Sequence, residues 1–251
     1  MKGPVKWEDL DEVFKGGFLD GGLTKVTLYD GHGYLDESTQ RMNPFYAKSD
    51  IDTFIEKASA RENNYSGYGE TDGYLYDGLD WIEKNVFPLK GKKIAVLGSQ
   101  IPWYESICLA YDMKPITIDY TKIETDDERL SVLTVDDYES NPIRCDLALS
   151  ISSFEHSGLG RYGDPIDPDG DLKSMQDVKN NILKDGGLLV LAVPVGKDWI
   201  DFNAHRIYGP HRLKKLLEGY EILYTSFKEE DFRVTHSCYQ PIFILKPKNE
   251  V

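Results

Sequence analysis

The sequence predicts an α/β fold: a doubly wound, mostly parallel seven-stranded sheet behind an N-terminal helical and irregular cap. Three observations predict it. From Lys92 onward, short apolar runs alternate with amphipathic stretches at βαβ spacing. Glycine, aspartate or proline stands near the end of these runs, as at Gly98, Asp119 and Pro194. Two last apolar runs, "YEILYTSF" and "QPIFILKP", read as closing strands.

The elements follow in order. Residues 1–90 are rich in Gly, Asp and Tyr ("GGFLDGG", "YDGHGYLDES", "NNYSGYGETDGYLYDG") and short of long apolar runs, so they read as a cap or lid. Helices are expected there at Ser49–Ala60 and Tyr74–Asn85, the second with Leu75, Leu79 and Ile82 on one face. Residues 91–251 form the sheet domain. "KIAVLG" is its first strand and "IPWYESICLAYDM" the following helix, with Pro102 near the first position. "PITIDY", "RLSVLTVDD" and "CDLALSIS" are the next three strands. "DLKSMQDVKNNILKDGG" is a helix stopped by Gly186 and Gly187. "LLVLAVPVG" is the fifth strand, and "GPHRLKKLLEG" a helix stopped by Gly219.

Composition narrows the partners. The 251 residues include 43 acidic and 29 basic side chains, a net charge of -14. Nucleic acid is therefore not an expected partner, since phosphate binding wants a basic face. The three cysteines, Cys108, Cys145 and Cys238, are widely spaced with no Cys-x-x-Cys, so neither a disulfide scaffold nor a zinc ribbon organises the chain. The start carries no apolar signal core and no run is long enough to span a bilayer. A cytoplasmic protein with no membrane contact is expected, and a homo-oligomer is left open.

Right-handed crossovers put the C-terminal ends of the parallel strands on one edge, where ligands of such sheets bind. Gly98, Asp119, Asp136, Ser150 and Pro194 fall near those ends. Gly98 permits a sharp turn and close approach of a ligand to the backbone, and the helix start behind it favours an anionic group. Asp119, 21 residues on, stands where a carboxylate reaches ribose hydroxyls, or is a solvated turn residue. Asp136 and Asp137 either receive an adenine amino group or cap a helix. The stretch "SSFEHSGLGRYGDPIDPDGD" (Ser152 to Asp171) packs seven ionisable side chains onto one loop at the same edge. Its aspartates lack the EF-hand spacing and read as Asx turns and a helix cap, so no metal is expected.

Two segments carry a resemblance. "CDLALSISSFEH" followed by "LKDGGLLVLAVP" resembles the strand-end pattern of class I S-adenosylmethionine-dependent methyltransferases, with Phe154-Glu155-His156 and Leu183 to Gly187 in the matching places. "SSFEHSGLGRYGDPIDPDGDL", "GGLLVLAVPVGKD" and "FNAHRIYG" resemble the blocks of a Caenorhabditis-type family of unknown function with a methyltransferase-like core. That resemblance covers most of the chain from Thr71. It implies a Rossmann-like fold, S-adenosyl-L-methionine as cofactor, and transfer of a methyl group to a small polar or saccharide acceptor, with O-methylation expected. The implied cofactor-binding residues are Gly98, Ser99, Gln100, Trp103, Asp119, Tyr120, Asp136, Ser152 and Glu155. Proton transfer falls to His156, with His205 and Asp164 as rivals. Arg161, Tyr162, Arg206 and Tyr208 are expected to hold the acceptor. The chain departs from many methyltransferases at Val96, where they carry an acid, and at Gln100, where they carry glycine. Glu105 or Glu155 is the expected substitute for the acid. The alternative is a non-catalytic binding or scaffold protein that has lost the cofactor. A nicotinamide-dependent oxidoreductase suits the fold but lacks the glycine fingerprint.

Overall fold

The computed structural model describes residues 5–29, 35–37, 44–63, 65–233 and 239–248. Cys238 and much of "YDGHGYLDES" lie outside them. The described strands are β1 (Lys25–Leu28), β2 (Phe45–Tyr46), β3 (Lys93–Leu97), β4 (Lys114–Asp119), β5 (Glu124–Thr125), β6 (Ser131–Thr134), β7 (Cys145–Ile151), β8 (Leu183–Ala192), β9 (Trp199–Phe202), β10 (His205–Ile207), β11 (Tyr220–Thr225) and β12 (Ile242–Pro247). The helices are α1 (Glu12–Leu19), α2 (Lys48–Ser59), α3 (Gly69–Asn85), α4 (Trp103–Ala110), α5 (Val135–Ser140), α6 (Gly170–Asp177) and α7 (Pro210–Leu216).

Seven strands form the main sheet in the order β11-β12-β8-β7-β3-β4-β6. β8, β7, β3, β4 and β6 run parallel, and β12 enters antiparallel to both β8 and β11. Each central strand sends alternate side chains to opposite faces. Ile94 and Val96 of β3 join Leu75, Leu79 and Ile82 of α3 and Ile107 of α4 on one face. Ala95 and Leu97 join Met175 of α6 and Leu213 and Leu216 of α7 on the other. Burial on both faces explains why these strands read as continuous apolar runs.

α3, which precedes residue 90, packs on β12 and supplies part of the buried cluster. Two expectations need correction. The third strand ends at Thr134, whose side chain accepts from Asp137 N at 3.1 Å and, with Asp137, makes a capping box for α5. Gly186 and Gly187 do not stop a helix: the helical segment ends at Ile182, and the glycines sit inside β8, where the pairing with β7 shifts register between Cys145 and Leu147. A second sheet, β1-β9-β10, stands beside the main one. There β1 runs parallel to β9, with Lys25 opposite Trp199. Phe18 of α1, Leu159, Ile166, Ile200 and Phe202 fill the space beneath it. Among the described residues no helix is long and apolar enough to cross a membrane.

Candidate functional site

A cleft of about 820 Å³ opens along the C-terminal ends of β3, β4 and β7. Its floor is the turn after β3. Gly98 has φ +76°, and a Cβ there would meet Ser153 Oγ at 2.5 Å, so this position takes no side chain. Asp119, at the end of β4, fixes that turn: its Oδ2 accepts from Ser99 N at 3.0 Å and its Oδ1 from Thr121 N at 2.7 Å. Ser99 Oγ lies 2.9 Å from the Tyr46 hydroxyl, which ties β2 to the turn. Tyr120, Val135 and Tyr138 supply an aromatic and apolar wall at this end.

The opposite end is built by the loop after β7. Ser152 sits at φ 51°, and its amide donates to Ala192 O at 3.1 Å. Glu155 is 1% exposed, and Ser152 Oγ donates to its Oε1 at 2.6 Å. Burial raises the Glu155 carboxyl to about 7 against the opposing hydrogen bond from Ser152. His156 places Nδ1 2.6 Å from Ala204 O, so that nitrogen carries the proton and donates to the carbonyl. Its Nε2 then faces Glu155 Oε1 at 3.8 Å as a lone pair. Burial, with Arg161 adding to it, lowers His156 to about 3 and keeps the ring neutral. His205 crosses it edge-on with ring centroids 6.4 Å apart, and Tyr162 does so at 5.4 Å.

Gly98, Ser99, Gln100, Asp119, Tyr120, Ser152, Glu155, His156, Arg161, Tyr162, Asp164 and His205 all border the cleft. Four expected site residues face elsewhere. Trp103 is fully buried, and its ring packs on Phe54 and Tyr65 at 5.6 and 4.8 Å, so it supports the wall residue Tyr65 from behind. Asp136 is exposed on α5 and does not border the cleft. Tyr208 is buried and its hydroxyl donates to Asp171 Oδ2 at 3.0 Å. Arg206, 1% exposed, donates to four backbone carbonyls: Glu155 at 3.3 Å, Ser157 at 2.5 Å, Asp167 at 3.3 Å and Pro168 at 3.2 Å. It clamps the loop and has no face toward an acceptor.

Asp164 also changes role. It borders the cleft, but its carboxylate accepts from the amides of Gly158 at 2.7 Å, Gly160 at 3.1 Å and Tyr162 at 3.2 Å. A carboxylate spent on three amides braces a loop. Gly158 shows why the loop is glycine-rich: at φ +82°, its Cβ would fall 2.0 Å from Asp167 O. Asp167 pairs with Lys173, and Asp169 with Arg212. Among the described residues no three His, Cys, Asp or Glu side chains converge as a metal site. Glu105, a candidate for the missing acid, is buried beneath the sheet end, accepts from Thr117 Oγ1 at 2.7 Å and does not border the cleft. Arg161 borders the cleft, paired with Glu37 at 2.6 Å.

Sequence reasoning missed Tyr68, Ser153 and Gln240, which border the cleft between the two ends. Ser153 was legible as the neighbour of the strand-end Ser152. Gln240 sits just before an apolar strand and Tyr68 in a tyrosine-rich stretch, and neither carries a motif.

The strand order, with its antiparallel β12 and a cleft over the ends of β3 and β4, defines a methyltransferase-type Rossmann-like fold. The chain belongs to the family described as Caenorhabditis protein of unknown function, DUF268, whose model matches residues 91–240. Its fold is similar to that of the 1,6-didemethyltoxoflavin-N1-methyltransferase of Burkholderia thailandensis, solved with 1,6-didemethyltoxoflavin and S-adenosylhomocysteine. That match has a TM-score of 0.52 at 10% identity and covers 79% of this chain and 87% of that one. A SAM-dependent methyltransferase of Leishmania major aligns with a TM-score of 0.46 at 11% identity, over 78% of this chain and 82% of that one. No curated protein matches the sequence.

Proposed function

We propose that this chain is an S-adenosylmethionine-dependent methyltransferase acting on a hydroxyl of a small polar, sugar-like acceptor. One observation carries the reading: a single cleft joins a bare glycine turn at one end to a paired-histidine wall at the other. The Burkholderia protein of similar fold binds S-adenosylhomocysteine, and the residues here fit that ligand class. Gly98 lets the turn after β3 close against Ser153 at the cleft floor, where the backbone borders the cleft. Asp119 borders the cleft at the end of β4, where a carboxylate can receive ribose hydroxyls. Tyr120, Val135 and Tyr138 offer an apolar face to a base.

When bound, S-adenosylmethionine supplies an electrophilic methyl group. The chain's part is to align an acceptor oxygen and to take its proton. His205 is the proton acceptor in this reading. It borders the cleft on β10, whereas His156 has one nitrogen committed to Ala204 and its basicity depressed by burial. His156 then positions His205 and Tyr162 by edge contacts. Tyr65, Tyr68 and Tyr162 give the acceptor side flat apolar surfaces of the kind a sugar face packs against.

Calorimetric titration with S-adenosylhomocysteine and with NADH tests the reading. Saturable binding of the first and none of the second is expected. NADH binding alone would turn the assignment to an oxidoreductase. Binding of neither would favour the scaffold alternative that Val96 and Gln100 raise.

A further inference from the structure

Ser152 Oγ is the centre of a small buried network. It lies 2.6 Å from Glu155 Oε1, 3.0 Å from Gln240 Nε2 and 3.1 Å from the Tyr68 hydroxyl. A hydroxyl has one proton to give. Glu155 Oε1 accepts that proton, whether the carboxyl is ionised or carries its own proton on Oε2, so the Gln240 amide and the Tyr68 phenol donate to Ser152 in return. That arrangement leaves two atoms over. Glu155 Oε2 and Gln240 Oε1 are buried and have no hydrogen-bond partner among the described residues. Both residues are at least nine-tenths buried, at 1% and 2% exposure, and both border the cleft. A buried acceptor without a partner costs on the order of 1–3 kcal/mol.

Among the described residues no Lys or Arg side chain pairs directly with this carboxylate, although Arg161 and Arg206 favour its charged form through space. Arg206 reaches the Glu155 carbonyl and not its carboxyl group. Arg161 is paired with Glu37. His156 stands at 3.8 Å but is held neutral. Tyr68 shares the Ser152 hydroxyl with it, and Tyr208 is engaged by Asp171. Two buried acceptors, on residues linked through the Ser152 hydroxyl and one of them a carboxyl oxygen, suit a ligand with several N–H donors and a positive charge. A hydroxyl offers a single donor, and a hard metal ion wants more oxygens than two. A primary ammonium meets both requirements.

We infer that Glu155 Oε2 and Gln240 Oε1 form a subsite for a primary ammonium, and that its occupant is the ammonium at the methionyl end of the cofactor. The assignment of the occupant rests on the function proposed above. The position agrees with it: Ser153, whose Oγ closes over bare Gly98, is the neighbour of Ser152, so a ligand on the Gly98 turn reaches this network within one residue. Val96, two residues before Gly98, is 1% exposed inside the apolar cluster and brings no charge to the cleft. In the unliganded protein a proton on Glu155 stands in for the ammonium, and binding expels it.

The test titrates the full chain, wild type and Glu155→Gln, with S-adenosylhomocysteine and with 5′-methylthioadenosine, which lacks the aminocarboxyl end. Glu155→Gln should weaken S-adenosylhomocysteine roughly 10- to 100-fold, as the loss of a charged hydrogen bond does, and leave 5′-methylthioadenosine within about 2-fold. In buffers of different ionisation enthalpy at pH 6, wild type should release close to one proton per S-adenosylhomocysteine bound, and the variant none. Gln240→Leu should weaken the same ligand selectively and supplies a second reading if Glu155→Gln folds poorly. Equal weakening of both ligands, or of neither, overturns the ammonium subsite while leaving the cofactor assignment intact. Failure of wild type to bind S-adenosylhomocysteine at all overturns both.

Discussion

Replacing Arg206 by methionine keeps most of the side-chain volume and removes the guanidinium. Four carbonyls, those of Glu155, Ser157, Asp167 and Pro168, lose a donor, and the 3.8 Å approach to Asp171 is lost with them. Counting each carbonyl as fully orphaned would overstate the cost, because removing a buried charge also returns its desolvation penalty. Breaking a buried ionic group away from its partners costs about 3–5 kcal/mol, and that range is expected here. In a chain of this size 1 kcal/mol moves Tm by about 2–4 °C, so a fall of the order of 10 °C should follow. Urea denaturation with an unchanged m-value measures it. Arg161→Met is the control. Arg161 is 19% exposed at the cleft, pairs with Glu37 and reaches one backbone carbonyl, that of Ala204, so its loss should cost about 1–2 kcal/mol, less than that of Arg206. If Arg206→Met unfolds within about 1 kcal/mol of wild type, the clamp assignment is wrong and Arg206 is free to hold an acceptor after all.

Other outcomes follow from the same geometry. His205→Ala should lower kcat by roughly 10²–10⁴-fold at neutral pH, with His156→Ala milder and the pH profile unchanged in form; the reverse order reassigns the proton acceptor to His156. Two groups give stability opposite pH slopes. Glu155, raised to about 7, binds a proton in the folded state that the unfolded chain has released above its ordinary 4.5, so it makes stability fall as pH rises between those values. His156, lowered to about 3, refuses a proton that the unfolded chain takes up below 6.5, so it makes stability fall as pH drops from 6.5 toward 3. Glu155→Gln should abolish the first slope and His156→Asn the second, read as differences from wild type in urea midpoints across pH 3–8. Gly98→Ala should cost about 1–2 kcal/mol from its left-handed backbone and displace Ser153, and wild-type ligand affinity in that variant would contradict the cradle.

The main sheet was legible because its information is local. Runs such as "KIAVLG" and "CDLALSIS" are buried on both faces, and each carries its own strand pattern. The edge where ligands bind followed from topology alone, so Gly98, Asp119, Ser152 and Glu155 could be placed together before any coordinate. What escaped was set by distant partners. β1 is four residues long and finds β9 more than 170 positions away, a pairing that no local pattern announces. Arg206 and Tyr208 stand at a strand end near the cleft, as expected, but pleating turns them inward to the loop and to Asp171. Asp167 makes the kind of Asx turn the loop's sequence offered, whereas Asp164, which the sequence also offered as a base, holds three amides, because a loop this glycine-rich needs side-chain acceptors to fix its shape. Gly186 and Gly187 carried a true signal of a break in regular pairing, which fell inside β8.

The central claim, that this cleft holds S-adenosylmethionine for methyl transfer, is tested most directly by a crystal structure grown with S-adenosylhomocysteine. The account predicts the methionyl end against Gly98, its ammonium between Glu155 and Gln240, the ribose at Asp119 and the base beside Tyr120 and Tyr138. Density for the ligand elsewhere, or a cleft closed by side chains with none bound at millimolar concentration, would contradict it.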